Sequence, residues 1–595
     1  MINLSDYSAL RNCTAYTDTI FVQGCAMQGD GGEGLFIWEN SSIAPDDGGT
    51  ILRPAVDHTP SSGAWKRIVG DAVEANWFGA KADGSVDAAP QIKKAIETAI
   101  HTHTKVRLAP GTYRFDQVIA LDIPDNFHLI IEGNGALIKA SPLVTSASSE
   151  VNLIRFFTSA GTDTQGTGVF IDNLDFDGGV PNPQFTEPNI SAIKRIHAVV
   201  AEDIFTVNIS NCHFKNIQGS GTRTYNFVYA NFQNLNFQNV GGKFRLENEF
   251  DSFGDGIYLC QTNLETSRPT RRQSHSAITN CHINAYNPSS YNNYASRCGI
   301  CVEGFNTLKS DHRVYLQVSN CTISGYDRTF HIEGIDAEVT ATALNVQNFQ
   351  CIYLMAWGRS KCTFTNCNFN SRLPNNPNQV RLGTGGINTY PSELINHITF
   401  NHCQINPQGE ATFIGQLDFV DSILDYSNHD VYFEHAIIVL TRSQLINISH
   451  NLSRGLNFYG CTLSATNSIM QGYKNGADNS GGILHFEDLV LPVFDRNTIT
   501  DTRLILTFKP AALARLTNNI IYRHPKGSGA PMEALMNFNN IQQVQMSNNI
   551  FYVDVATASD QEPIYQTYAV QHVSHDHDIK YLHILDSGKT SKSRL

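Results

Sequence analysis

The chain has 595 residues, and its 55 Asp and Glu against 42 Lys and Arg leave a formal charge of −13. That balance argues against nucleic acid and anionic membrane as partners, and no run of about eighteen apolar residues proposes a membrane span. Only 16% of residues are charged, Gly numbers 44 and Met only 7, a composition of short strands and turns rather than of helical bundles.

In chain order, the start Met1-Ile2-Asn3-Leu4-Ser5-Asp6 lacks a basic region followed by an apolar run, so no secretory signal is expected. Residues 1–75 are rich in Gly and turns, with short strands at Leu35-Phe36-Ile37-Trp38 and Trp65-Lys66-Arg67-Ile68-Val69, and read as a small N-terminal β-rich domain. One helix is predicted near 88–103. Asp87 is placed to cap it, and Ile92, Ala95, Ile96, Ala99 and Ile100 form an apolar stripe at helical spacing. A strand and turn follow at Lys105-Val106-Arg107-Leu108-Ala109-Pro110-Gly111.

From there to residue 558, strand follows strand, with Asn-rich turns at an irregular period of about 20 to 45 residues. The phrase Cys-x-apolar recurs in Asn211-Cys212-His213-Phe214, Asn280-Cys281-His282-Ile283, Asn320-Cys321-Thr322-Ile323, Asn366-Cys367-Asn368-Phe369, His402-Cys403-Gln404-Ile405 and Gly460-Cys461-Thr462-Leu463. Late copies at Asn518-Asn519-Ile520 and Asn548-Asn549-Ile550 replace the Cys by Asn. Thirteen cysteines in this pattern predict stacked buried thiols rather than disulfides, and synthesis in a reducing cytoplasm. Cys298-Gly299-Ile300-Cys301 lies on a strand without a βαβ setting, so it is not read as a redox motif.

Such repeats predict an all-β fold, a parallel β-helix over residues 76–558 whose open first coil is covered by the 88–103 helix. Residues 559–595 are polar and carry His572, His575, His577 and His583; they read as a terminal segment for oligomer contacts.

Several N-terminal passages resemble phage tailspike proteins: Gly29-Asp30-Gly31-Gly32-Glu33-Gly34-Leu35-Phe36, Ala44-Pro45-Asp46-Asp47-Gly48-Gly49-Thr50 and Ala64-Trp65-Lys66-Arg67. Trp77-Phe78-Gly79-Ala80-Lys81-Ala82-Asp83-Gly84 and Ala109-Pro110-Gly111-Thr112-Tyr113, with the helix between them, also resemble the entry to the wider pectate-lyase-like β-helix superfamily. The resemblance implies a right-handed β-helix, a homotrimer, and a protein of the virion tail that meets other tail proteins. It also implies that the chain is made in the host cytoplasm and depolymerises a capsular or O-antigen polysaccharide at the bacterial surface.

Four strand patterns align: Gly256-Ile257-Tyr258-Leu259-Cys260, Gly299-Ile300-Cys301-Val302-Glu303, Thr329-Phe330-His331-Ile332-Glu333 and Cys351-Ile352-Tyr353-Leu354-Met355. Strand alternation puts Ile257, Ile300, Phe330 and Ile352 in one inward column. Tyr258, Cys301, His331 and Tyr353 then face outward beside Cys260, Glu303, Glu333 and Met355. Trp357 continues that face, and Asp255 aligns with Cys298 and Arg328. The expectation is an outer wall carrying a stacked pair of acids.

Glycoside hydrolysis needs one acid to protonate the leaving oxygen and a second to attack or to activate water. The candidate catalytic residues are Glu303, Glu333 and Asp255. Arg328, His331, Tyr258, Tyr353, Trp357, Tyr291 and Tyr294 are candidate substrate contacts. A lyase with His331 or Tyr258 as base and Arg328 against a uronate is the alternative, and a non-catalytic adhesin the third. Glu247, Glu249 and Asp251 form a second acidic cluster read as a solvated loop, and His575-Asp576-His577-Asp578 reads as an exposed polar loop. No metal, cofactor, nucleic acid or membrane insertion is expected.

Overall fold

The computed structural model describes every residue except 1, 17–18, 56–62, 147–149, 160–165, 181–194, 242–253, 263–272, 286–295, 305–312, 334–335, 350, 357–359, 372–379, 382–396, 409–410, 448–454, 472–482, 490–492, 502, 509–512, 524–535, 540–542, 554–564, 569–571, 580–583 and 587–595. The chain divides into two compact units, Met1–Leu316 and Gln317–Leu595.

The first unit opens with a five-stranded sheet in the order Ile2–Leu4, Ile20–Val22, Gly34–Glu39, Ala64–Arg67, Ile51–Leu52. Only the first pairing is parallel. Leu10, Ile20, Val22, Phe36, Leu52 and Trp65 form its core. Arg67 threads into that core and donates to the carbonyls of Gly32, Glu33 and Gly49 and to the Tyr7 hydroxyl, with its guanidinium 4.4 Å from the centroid of the Trp77 ring. Tyr7 in turn donates to the Trp77 carbonyl at 2.9 Å, tying the sheet to the start of the solenoid. Ala72–Glu74 pairs in parallel with Lys105–Arg107, so the first coil is already under way at residue 72.

The predicted helix runs Ala89–Thr102 and buries Ile92, Ala95, Ile96 and Ala99 against Ala72–Glu74, Lys105–Arg107 and Ile119–Asp122. Its N-cap residue is Ala88 rather than Asp87. Asp87 ends the preceding strand, and from there its carboxylate accepts the Ala89 and Asp116 N–H groups at 3.1 and 3.0 Å. The acid still satisfies a free donor of the first turn, from one position further back.

Each coil contributes three strands to three parallel walls. In the first unit Arg195–Glu202, Thr206–Ser210 and His213–Gln218 are followed by Thr222–Tyr225, Tyr229–Gln233 and Asn236–Gly241. Wall on wall, Val199 lies opposite Thr222, Val207 opposite Ala230 and Phe214 opposite Phe237. Inward residues stack in columns: the rings of Phe176, Phe214 and Phe237 lie 5.2 and 4.8 Å apart and nearly parallel.

The corner between the second and third walls explains the repeated phrase. Asn211, Asn234 and Asn280 have φ near 55°, as do Asn320, Asn366, His402, Asn518 and Asn548 in the second unit. Asn tolerates this left-handed backbone better than other residues with a Cβ. The next residue then turns inward, and Cys212, Cys281, Cys321, Cys367, Cys403 and Cys461 are buried free thiols, as the pattern predicted.

The second unit repeats the three walls, from Tyr326–Glu333, Asp336–Thr342 and Asn345–Phe349 onward. Parallel pairing carries past residue 558: His572–Ile579 pairs with Gln543–Val553, and Ile584–Asp586 with Tyr565–Tyr568. The His575-Asp576-His577-Asp578 run therefore lies in a strand. Both units are parallel β-helix, and the all-β expectation is met.

Candidate functional site

The first wall of the first unit aligns as the strand patterns predicted. Asp255 lies opposite Cys298, Ile257 opposite Ile300, Tyr258 opposite Cys301 and Cys260 opposite Glu303. The register continues down through Thr222, Arg223, Thr224 and Tyr225. Ile257, Leu259, Ile300 and Val302 fill the coil, which puts Tyr258, Cys260, Cys301 and Glu303 on the opposite face.

That face is not an open wall. Asp255, Tyr258, Cys260, Cys301 and Glu303 are all buried, Glu303 at 9% exposure. The reason lies in what they do to one another. Tyr258 Oη donates to Glu303 Oε2 at 2.6 Å, Cys301 Sγ donates to Oε1 at 3.2 Å, and the Arg297 guanidinium pairs with the same carboxylate. Arg297 also reaches Asp255 Oδ2 at 3.2 Å. Burial works against the Arg297 charge, yet Asp255 and the groups around it hold its pKa well above the ordinary value. Burial pushes the Tyr258 phenol far up, with Cys260 and Glu303 adding to the effect, and pushes the Cys260 thiol up to about 12.

Next to this network is a second one that sequence reasoning missed. Arg223 lies 4.7 Å from the centroid of the Tyr258 ring and donates to Glu150 Oε1 at 2.7 Å. His197, fully buried, accepts the Ser220 N–H on Nδ1 at 3.1 Å, while its Nε2 lies 3.1 Å from Arg223 Nη1 and 3.3 Å from Glu150 Oε1. Burial holds His197 neutral, with its pKa lowered to about 4. The hydrogen bond from His197, reinforced by Arg223, lowers Glu150 to about 2. Nothing in the spacing of Glu150, His197, Arg223 and Arg297 announces a cluster. They meet only because successive coils stack, and the one available signal was Arg297 just before the Gly299–Glu303 pattern.

In the second unit, Arg328 Nη1 lies 3.2 Å from His331 Nδ1, and His331 Nε2 lies 2.8 Å from Glu333 Oε2. A guanidinium only donates, so Nδ1 accepts and the neutral ring hands its Nε2 proton toward Glu333. His331 is buried, and the Glu333 side chain keeps 31% of its surface. One expected alignment is corrected. Phe330 lies opposite Tyr353 rather than Ile352, and Glu333 opposite Ala356 rather than Met355. A slip of one residue exchanges the two faces of a strand, so the backbone register does not put Tyr353 in the outward column with His331. Glu303 and Glu333 belong to different units. Trp357, Tyr291, Tyr294, Glu247, Glu249 and Asp251 lie outside the described residues. No helix among the described residues is long and apolar enough to cross a membrane.

Among solved structures the chain is similar to the tailspike protein of Acinetobacter phage vB_ApiP_P1, at 11% identity and TM-score 0.45 over 69% of this chain and 66% of that one. It is also similar to the enzymatically active domain of tailspike protein 2 of bacteriophage CBA120, at 14% identity and TM-score 0.42 over 77% and 57%. A third is tailspike protein gp49 of Acinetobacter baumannii bacteriophage Fri1, described as a capsular polysaccharide depolymerase, at 12% identity and TM-score 0.31 over 84% and 75%. The alignments thus span just under two thirds of the first structure and a little over half of the second. No curated protein matches. Residues 3–70, the segment that folds as the small N-terminal sheet, match the family model of the phage tail protein small four-stranded β-sheet domain.

Proposed function

We propose that this protein is a phage tailspike that binds a bacterial capsular or O-antigen polysaccharide and cleaves it by endo-glycosidic hydrolysis, working as a homotrimer in the virion tail. The observation that carries this is the union, in one chain, of a phage-tail sheet domain with two units of parallel β-helix, the first of which gathers Asp255 and Glu303 around Arg297 and Tyr258.

Each unit contributes one candidate acid, Glu303 in the first and Glu333 in the second. Glu303 takes bonds from Tyr258, Arg297 and Cys301, three donors that favour the ionised form and suit an acid that must stay a carboxylate, as nucleophile or as base toward water. Glu333 is the more exposed acid and is oriented by His331, so access to substrate is the ground on which it is assigned the proton donation to the leaving oxygen. Asp255 fixes Arg297 against Glu303, and Arg328 fixes the His331 ring. A lyase that used Tyr258 as base is disfavoured, because a phenol whose pKa is pushed far up does not release its proton near neutral pH.

The test is incubation with a panel of purified capsules and O-antigens, with the fragments sized by mass. Hydrolysis leaves saturated ends, elimination leaves an ultraviolet-absorbing double bond, and an adhesin leaves the polymer uncut. Glu303→Gln and Glu333→Gln, made singly, are each expected to lower kcat by at least about 100-fold; the melting temperature should stay nearly unchanged for the half-exposed Glu333 and fall for the buried Glu303, whose loss leaves Arg297 half-paired. Wild-type turnover in both variants would remove the pair from the mechanism.

A further inference from the structure

The first wall of the first unit also gathers three metal-ligating side chains, two of which, Asp255 and Cys301, touch the Arg297–Glu303 pair. Cys298 and Cys301 bring their sulfurs together with a carboxylate oxygen of Asp255, and these three atoms all lie within 4.8 Å of one another. All three residues are buried, at 0%, 0% and 3% exposure. We infer that Asp255, Cys298 and Cys301 form a binding site for a thiophilic divalent cation of the zinc class.

Three features support the assignment. The first is the spacing. Two cysteines separated by two residues are a common chelating pair, and here the third donor comes from the neighbouring coil, directly opposite Cys298. The second is geometry. Metal–sulfur bonds of about 2.3 Å in a tetrahedral site place two sulfurs about 3.8 Å apart, so closing the cluster on an ion takes a contraction of about 1 Å or less from a separation of at most 4.8 Å. Two thiolates and one carboxylate select zinc over magnesium or calcium, which prefer all-oxygen sites.

The third is charge. On binding, two S–H bonds break, two S–metal bonds form, and the two protons leave to solvent. A dication replaces two protons, so the buried cluster carries the same net charge filled as empty. Arg297, 3.2 Å from Asp255, stands beside the cluster as a fixed positive charge shared with Glu303.

The experiment uses the full chain, freed of metal with a chelator and titrated with cobalt(II) alone. The expected result is one equivalent bound per chain, with a thiolate-to-cobalt absorption band and release of two protons. The band disappears in Cys298→Ser and in Cys301→Ser and persists in Cys367→Ser, whose thiol is a buried corner residue of the second unit. Should the Ser variants fail to fold, zinc added to the wild type must shield Cys298 and Cys301 from alkylation, mapped by peptide mass. Absence of the band, a band that survives both substitutions, unshielded thiols, or a disulfide between Cys298 and Cys301 would each overturn the site. These readouts are independent of polysaccharide cleavage, so the metal site and the proposed function fail separately.

Discussion

Two sets of buried polar groups on the same kind of scaffold do opposite things. At the corner of the second unit, one side chain per coil caps the coil before it. Ser422 Oγ accepts the Cys403 N–H at 3.0 Å, Ser443 that of Ser422 at 3.2 Å and Ser468 that of Ser443 at 3.2 Å. Asn497, Asn519 and Asn549 continue the series at 2.9, 3.0 and 3.0 Å. Every group is neutral, and each of these bonds caps a backbone N–H. On the first wall of the first unit, Asp255, Arg297, Tyr258 and Glu303 are mostly charged, bond to one another, and occur once. Neutral groups that satisfy backbone donors stabilise a fold cheaply, whereas buried charges recover their desolvation cost only in part. A polar residue repeated at every coil therefore belongs to the architecture, and an unrepeated charged cluster is where chemistry is to be sought.

The sharpest way to break the comparison is Arg297→Met. It leaves Asp255 and Glu303 as buried carboxylates without their cation, and the expected loss is about 3–5 kcal/mol of unfolding free energy, read from guanidinium denaturation. Adding Asp255→Asn and Glu303→Gln to the same chain should restore most of it. Stability unchanged in the single variant would mean that the cluster is solvated and the contrast false.

The same contrast explains how much was legible in the sequence. Repetition is visible without coordinates, so the buried thiols, the Asn corners and the capping helix were all foreseen from Cys212, Asn280 or Ile92. The pairing of Cys260 with Glu303 was foreseen too, because both strands carry the same apolar alternation. The slip at Phe330 escaped because Cys351-Ile352-Tyr353-Leu354 is apolar at consecutive positions and marks no unique register. The burial of Glu303 escaped because an acid next to Val302 reads as an outward, solvated residue. Arg297, Tyr258 and Cys301, arriving from two coils, cover its charge.

Acid should act on the charged side of the comparison first. His197 has a folded pKa of about 4, below its free value of 6.5, so the unfolded chain takes up the proton first. The stability His197 contributes is whole above pH 6.5 and is lost as pH falls through 4, on the order of 3 kcal/mol in all. Glu150, lowered to about 2 and half-exposed, extends the decline in the same direction at lower pH, with a smaller share because water screens it. Denaturation measured between pH 7 and 4 should show this slope, and His197→Gln should flatten it. An equal slope in the variant would mean that other groups carry the acid sensitivity.

The neutral ladder gives the smallest effect and the cleanest one. Asn519 Oδ1 accepts the Asn497 N–H at 3.0 Å, while its Nδ2 donates to the Phe494 carbonyl at 2.9 Å and to Asn549 Oδ1 at 2.9 Å. Asn519→Leu keeps the branched shape at a larger volume and removes every one of these bonds, stranding a buried N–H and a buried carbonyl, for an expected cost of about 2–3 kcal/mol. Asn519→Ser should cost about 1 kcal/mol less than that, because one oxygen suffices to cap the N–H at Ser422, Ser443 and Ser468. The two variants separate the bond from the bulk. If Ser proves as costly as Leu, what matters at the corner is filling space, and the ladder is packing that happens to be polar. If Ser recovers the difference, the corner is held by one accepted hydrogen bond per coil.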